Sequence, residues 1–268
     1  MVATRRSGLS LGCLSSRFQA AWLQSAWPEG LHEWLNELWN DALDIVFPRW
    51  CAGCGQWDED LCKTCRAEFS QAWYRVEEHL PYLSHVSADG GADTSPFPVL
   101  ALADYAGCVA KAIVRWKNVA DRRLDWAFAG LVSSRESVEI PARAGRTVVV
   151  PAPSSPQRAR GGRFVAGVIA EEVAEVLDAE YADVLVRRRM RRGRGLEARG
   201  RKARAVEIAA GVDLRGTDVV LVDDVVTTGA TLAGASRAVK SAGGRVIAGF
   251  TLAATRDPRQ MRGIGHIS

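Results

Sequence analysis

One continuous segment, Val219 to Leu232, constrains the 268-residue chain more than any other. Val219-Val220-Leu221-Val222 is an unbroken apolar run, the pattern of a strand covered on both faces. Asp223 and Asp224 follow at its C-terminal end, and Thr227-Thr228-Gly229-Ala230-Thr231 leads into a helical pattern over 231–242. A single Asp would serve to cap that helix, so paired acids ahead of a hydroxyl-rich loop point to other chemistry. Neighbouring carboxylates can accept hydrogen bonds from the vicinal hydroxyls of a sugar. The start of a helix offers unpaired N–H groups and a positive dipole end to a phosphate, and Gly229 allows the backbone to come close. A nucleotide site of the Walker type also ends a strand in acids, but it needs a Gly-Lys-Ser/Thr loop. None of Lys63, Lys111, Lys117, Lys202 and Lys240 follows a glycine.

Further strands are expected at 99–103, 147–150, 184–186 and 246–252, with helical patterns at 109–116, 124–132 and 165–177 between them. Strands separated by helices indicate an α/β fold with a parallel sheet flanked by helices, whose ligands sit beyond the carboxyl ends of the strands. Four other regions bound this domain, which spans 99–257. Residues 1–30 show little pattern and read as a disordered extension. Residues 31–83 combine an amphipathic helix (Leu31, Leu35, Leu38, Ala42, Ile45) with a cysteine-rich module. Residues 84–98 are a Ser/Asp/Gly/Pro linker and 258–268 a tail. Trp34 and Trp39 flank the helical stripe, which either lies on a membrane surface or packs on the protein. The acids Glu29, Glu33, Glu37, Asp41 and Asp44 favour packing, because an anionic bilayer repels them.

Cys51-Ala-Gly-Cys54 and Cys62-Lys-Thr-Cys65 are two C-x-x-C pairs separated by seven residues. Two such turns complete a tetrahedral sulfur site, and four ligands leave no open position, so the reading is a structural zinc. Paired disulfides or a redox C-x-x-C are the alternatives. The N-terminus, where Ser7, Ser10, Ser15, Ser16 and Arg17 interrupt any apolar core, lacks a convincing secretion signal. There is also no apolar run of about 18 residues for a spanning helix, and the chain is read as cytoplasmic.

The net charge of +4 is uneven: residues 187–204 hold ten basic residues and one acid, a balance of +9, which leaves −5 for the remainder. This island either follows a nucleic-acid backbone or is a solvated arginine-rich hairpin; it contains no aromatic residue for base stacking. Lys117 closes a helical pattern, where it serves as a C-terminal helix charge or as a diphosphate contact. Arg158 and Arg160 lie in a basic loop after Pro151 and Pro153. That loop either closes over a diphosphate leaving group or is merely solvated.

The strand, acid pair and small-residue loop resemble the shared element of the type I phosphoribosyltransferases. The four-cysteine module, Tyr105-Ala106-Gly107, Trp116-Lys117 and Val150-Pro151-Ala152-Pro153, in that order, look like the ComF family over roughly residues 43–257. Those are amidophosphoribosyltransferase-like proteins linked to DNA uptake in natural competence. The resemblance implies that Asp223 and Asp224 hold the ribose hydroxyls, that Thr227, Thr228, Gly229, Ala230 and Thr231 cradle the 5′-phosphate, and that magnesium bridges the diphosphate. Where the family shows Arg-Gly-Phe-Asn, this chain has Arg160-Gly161-Gly162-Arg163. A family Gln before Leu196 and an Asn after Arg201 are also missing.

Two functions follow. One is a phosphoribosyltransferase acting on phosphoribosyl diphosphate. The other is a non-enzymatic adaptor that binds a ribose phosphate and contacts single-stranded DNA or a protein of the competence machinery. The departures lie on the acceptor side and favour the adaptor; the intact acid pair serves both.

Overall fold

Alternation along the strands sorts the apolar residues onto two faces, and helices cover both. The computed structural model describes residues 49–69, 72–83, 95–135, 138, 140–142, 145–153, 164–187 and 206–255, all within one compact unit that begins at Arg49. In chain order the elements are α1 (Lys63–Ala67), β1 (Tyr74–Arg75), β2 (Val99–Asp104), α2 (Gly107–Asn118), α3 (Arg122–Ser133), β3 (Arg146–Pro151), α4 (Val165–Val176), β4 (Glu180–Tyr181), β5 (Leu185–Arg187), β6 (Val206–Ile208), β7 (Thr217–Val226), α5 (Ala230–Ser241) and β8 (Arg245–Ala254). The expected helical stripe at 31–45, the extension 1–30, Arg158, Arg160, the basic island beyond Arg187 and the tail 258–268 lie outside the described residues.

The main sheet runs β1-β2-β8-β7-β3-β4, with β1 antiparallel and every other neighbour parallel. Leu100, Leu102, Val149, Val220 and Val222 turn to the face covered by α2, α3 and α4. Val99, Ala101, Val148, Val150, Val219 and Leu221 turn to the other, covered by α5. Two apolar faces explain why these strands lack polar alternation. Each helix buries one stripe, as in α2, where Val109, Ala112, Ile113 and Trp116 recur at helical spacing.

The expected strand at 184–186 falls instead at Leu185–Arg187 and pairs with β6 in a separate antiparallel ribbon. Only Leu185 of the three is buried and Val186 is exposed, so the segment has one apolar face where a central parallel strand needs two. The two-residue β4 takes the place beside β3. Strand β7 is also longer than its apolar run. It continues through the acid pair to Val226, with Asp223 opposite Thr251 and Val226 opposite Ala254 of β8.

The described residues 51–69 and 72–83 pack at one edge of the sheet. Their cysteine portion and Phe69 share the core with α2 and α3, with Phe69 edge-on to Phe128 at 6.2 Å. Strand β1 adds to the sheet edge, and Val76, Leu80 and Leu83 then pack on the α5 face. Buried Glu77 fixes the crossing by accepting from the Val99 N–H at 3.1 Å. Of the residues read as a linker, Phe97 is buried and the Pro98 carbonyl accepts from Gly249 N at 2.9 Å. Among the described residues no helix is long and apolar enough to cross a membrane.

Candidate functional site

Because β2, β8, β7 and β3 are parallel, their carboxyl ends lie on one edge of the sheet, and the acid pair sits at that edge on β7. Strand alternation places Asp224 on the side of Val220 and Val222, facing the α2 layer. There Lys117 Nζ lies 2.8 Å from Asp224 Oδ1, with the two side chains only 13% and 9% exposed. The Trp116-Lys117 pair explains the aim of this lysine. Trp116 is fully buried, stacked on Phe128 at 4.2 Å, and donates from Nε1 to Asp125 Oδ1 at 2.6 Å. That locks the last turn of α2, and Lys117, one residue on, projects toward β7.

Asp223 is half-buried. Loss of solvation and the adjacent Asp224 charge push its carboxyl up to about 7, against the pull of the Asp224 N–H, Lys117 and Arg187. Its Oδ1 accepts from the Asp224 backbone N–H at 2.9 Å. Near neutral pH Asp223 is therefore partly protonated, beside an Asp224 carboxylate paired with a lysine. Such a pair can both accept from and donate to sugar hydroxyls.

The loop after β7 is anchored by its carbonyls. Val226 O accepts from Thr255 N at 3.0 Å, Thr227 O from Thr255 Oγ1 at 3.2 Å, and Thr228 O from Tyr82 N at 3.1 Å. In a trans peptide the C=O and the following N–H point opposite ways, so the N–H groups of Thr227, Thr228 and Gly229 are turned away from those anchors. Gly229 takes φ 75°, a left-handed value that favours glycine, and is the N-cap of α5 without a side-chain cap bond. Thr227 to Thr231 thus form an uncapped helix start, the arrangement that binds phosphates.

Arg187, read from sequence as the first residue of the basic island, belongs to this edge. Its Nε donates to Pro153 O at 3.0 Å, and its charge acts on Asp223. A cavity of about 510 Å³ opens beside the ends of β2 and β8, lined by the Tyr105-Ala106-Gly107 turn, Asp104, Cys108, Glu68 and Thr255. Thr255 ties this cavity to the loop. Sequence reasoning missed Thr255, Tyr82 and the role of Arg187. Thr255 had a signal in its position just after a predicted strand; Tyr82 had none.

The four cysteine sulfurs lie within 4.8 Å of one another, and Cys54 Sγ is 3.6 Å from Cys62 Sγ. Thiolates at about 2.3 Å from a tetrahedral zinc stand roughly 3.8 Å apart, so the cluster fits that ion. Burial raises the Cys51 thiol, but N–H groups of Cys62, Cys54 and Gly53 outweigh it and hold the group at about 6. The Cys62 N–H lies 3.3 Å from Cys51 Sγ. Both glycines of the first turn are required. Gly55 has φ 79°, and a Cβ on Gly53 would stand 2.7 Å from Cys65 Sγ.

Residues 159–263 match the family model of the phosphoribosyl transferase domain. No curated protein matches the chain. Adenine phosphoribosyltransferase from Thermoanaerobacter pseudethanolicus is similar at 16% identity over 55% of this chain and 74% of that one, with a TM-score of 0.33. The same enzyme from Leishmania tarentolae is similar at 15% identity over 74% and 89%, TM-score 0.33. A hypoxanthine phosphoribosyltransferase from Staphylococcus aureus is similar at 14% identity over 55% and 66%, TM-score 0.28.

Proposed function

We propose that the chain binds phosphoribosyl diphosphate at the edge built by Asp223, Asp224 and the loop 227–231, and transfers its phosphoribosyl group to an acceptor. The observation that carries this reading is the buried Lys117–Asp224 pair beside an uncapped helix start. A lysine-paired carboxylate for the ribose diol and amides turned away from the loop's carbonyl anchors occur together on one strand-loop-helix unit.

In the proposed reaction the loop fixes the 5′-phosphate and the acid pair fixes the hydroxyls, which leaves the anomeric carbon open to attack. The bond from that carbon to the diphosphate oxygen breaks and its electron pair leaves with the diphosphate. A nitrogen of the acceptor bonds to the carbon and gives up its proton. Positioning and electrostatics can supply most of the acceleration. Arg187, and by their place in sequence Arg158 and Arg160, would neutralise the departing group. Magnesium, carried by the diphosphate, would offset part of its charge. With Asp224 already engaged by Lys117, the acid pair suits hydroxyl recognition better than an ion of its own. The structural zinc would be held by Cys51, Cys54, Cys62 and Cys65.

The motif order along the chain supports placement in the ComF family and a role in DNA uptake. Diphosphate release is the test of turnover. Purified protein with magnesium, phosphoribosyl diphosphate and a panel of nitrogen acceptors is expected to release diphosphate, and Asp224→Asn to abolish the release. Donor binding without release in any mixture supports the adaptor reading instead.

A further inference from the structure

We infer that the turn Leu80–Leu83, which belongs to the N-terminal segment and not to the strand-loop-helix unit, is a positioning element for the phosphate loop. The inference rests on the ribose-phosphate reading of that loop.

Three contacts carry it. Leu80 and Leu83 are almost fully buried, at 0% and 1% exposure. A Cβ built on Gly229 would stand 3.1 Å from Leu80 Cβ and 3.2 Å from Leu83 Cγ. The glycine backbone therefore lies directly on these two leucines, at the residue where the loop turns into α5. Between them, the Tyr82 N–H donates to Thr228 O at 3.1 Å. That carbonyl and the Gly229 N–H share one peptide plane. Holding the first toward Tyr82 turns the second the opposite way, and Leu80 and Leu83 set how far the plane can sink into the protein.

The turn is itself anchored in two directions. The Leu80 N–H donates to Glu77 O at 3.0 Å and the Leu83 N–H to Leu80 O at 2.8 Å. Glu77 is bonded to the first residue of β2 and paired with Arg75. A rigid peg from the sheet edge thus fixes a loop that Gly229 would otherwise leave conformationally free. Anion binding by backbone amides depends on such fixing, because donors must be in place before the ligand arrives.

The test uses full-length protein and two probes with magnesium: ribose 5-phosphate, which needs the loop, and inorganic pyrophosphate, which does not. Leu83→Ala is expected to weaken ribose 5-phosphate binding by about tenfold, the equivalent of ~1.4 kcal/mol, and to leave pyrophosphate affinity within twofold. Leu83→Met, which keeps the volume, is expected to restore most of the loss. Should the alanine chain not fold, Leu83→Val is measured in the same way with the same expected ordering. Unchanged ribose 5-phosphate affinity in a folded variant, or equal loss of both probes, overturns the inference. If the wild type binds no ribose 5-phosphate, it is the function of the loop that fails, an outcome separate from any difference between variants.

Discussion

Lys117 Nζ and Asp224 Oδ1 lie 2.8 Å apart in an interior that hides nearly nine-tenths of both side chains. The pair joins the last turn of α2 to the carboxyl end of β7, across one layer of the fold. Losing one partner removes the opposite charge, 2.8 Å away, from a largely desolvated group. Lys117→Ala is therefore expected to cost about 1–3 kcal/mol of folding stability. Lys117→Met combined with Asp224→Asn removes both charges and is expected to be clearly more stable than Lys117→Ala. Urea unfolding of the variants checks the order. Additive losses with no recovery in the double variant would mean that the two groups do not interact.

Asp223 gives a pH signature. Its folded carboxyl is raised from the ordinary 3.8 to about 7 by lost solvation and by Asp224. Between those values the folded chain keeps a proton that the unfolded chain releases. The stabilising contribution is complete below about pH 4 and is lost as pH rises to about 7. Asp223→Asn cannot titrate, so the wild type minus the variant should show stability falling across that window. A flat difference from pH 4 to 7 would contradict the raised value.

Arg187 divides the basic island. Because its charge pulls the Asp223 carboxyl down and its Nε holds Pro153 O, Arg187→Ser is expected to raise the Asp223 titration midpoint further. Carboxyl-carbon NMR across a pH series reads this directly. Replacing Arg188, Arg189, Arg191 and Arg192 with serine is expected to lower both the affinity for single-stranded DNA and its salt dependence. Equal DNA binding before and after that replacement would remove nucleic acid from the account of the island.

Metal content is the fourth expectation. The cluster predicts one zinc per chain, bound by four thiolates, and structural zinc is worth on the order of 10 kcal/mol to a small module. Chelation is expected to lower the melting temperature sharply, because Cys51, Cys62, Cys65 and Phe69 share the core with α2 and α3. Gly53→Val is expected to weaken zinc retention by driving a side chain against Cys65 Sγ. Metal analysis showing substoichiometric zinc in the folded wild type would contradict a four-thiolate site.

Much of this architecture is legible in the sequence, since doubly covered strands and amphipathic helices write apolar runs and stripes. Val219–Val222 and the stripe Val109, Ile113, Trp116 are of this kind. The acid pair and the glycine of the loop were also visible, as residue types with few other uses together. What stayed hidden depends on contacts distant in sequence. Tyr82 reaches Thr228 through a backbone N–H, which every residue but proline has, so its identity carries no signal. Arg187 lies among arginines that resemble it, and only the short ribbon β5–β6 aims it at Pro153. Lys117 reads in the sequence as a helix-end charge or a ligand contact, and its partner Asp224 lies far along the chain, on another element. The extension of β7 beyond its apolar run is not legible because carboxylates are rare inside strands, and there the ladder to β8 overrides β propensity.

The most direct measurement of the central claim is calorimetric titration of the purified chain with phosphoribosyl diphosphate, with and without magnesium. The account predicts a saturable 1:1 heat that magnesium strengthens, accompanied by a higher melting temperature. No heat and no thermal shift at saturating ligand would contradict it.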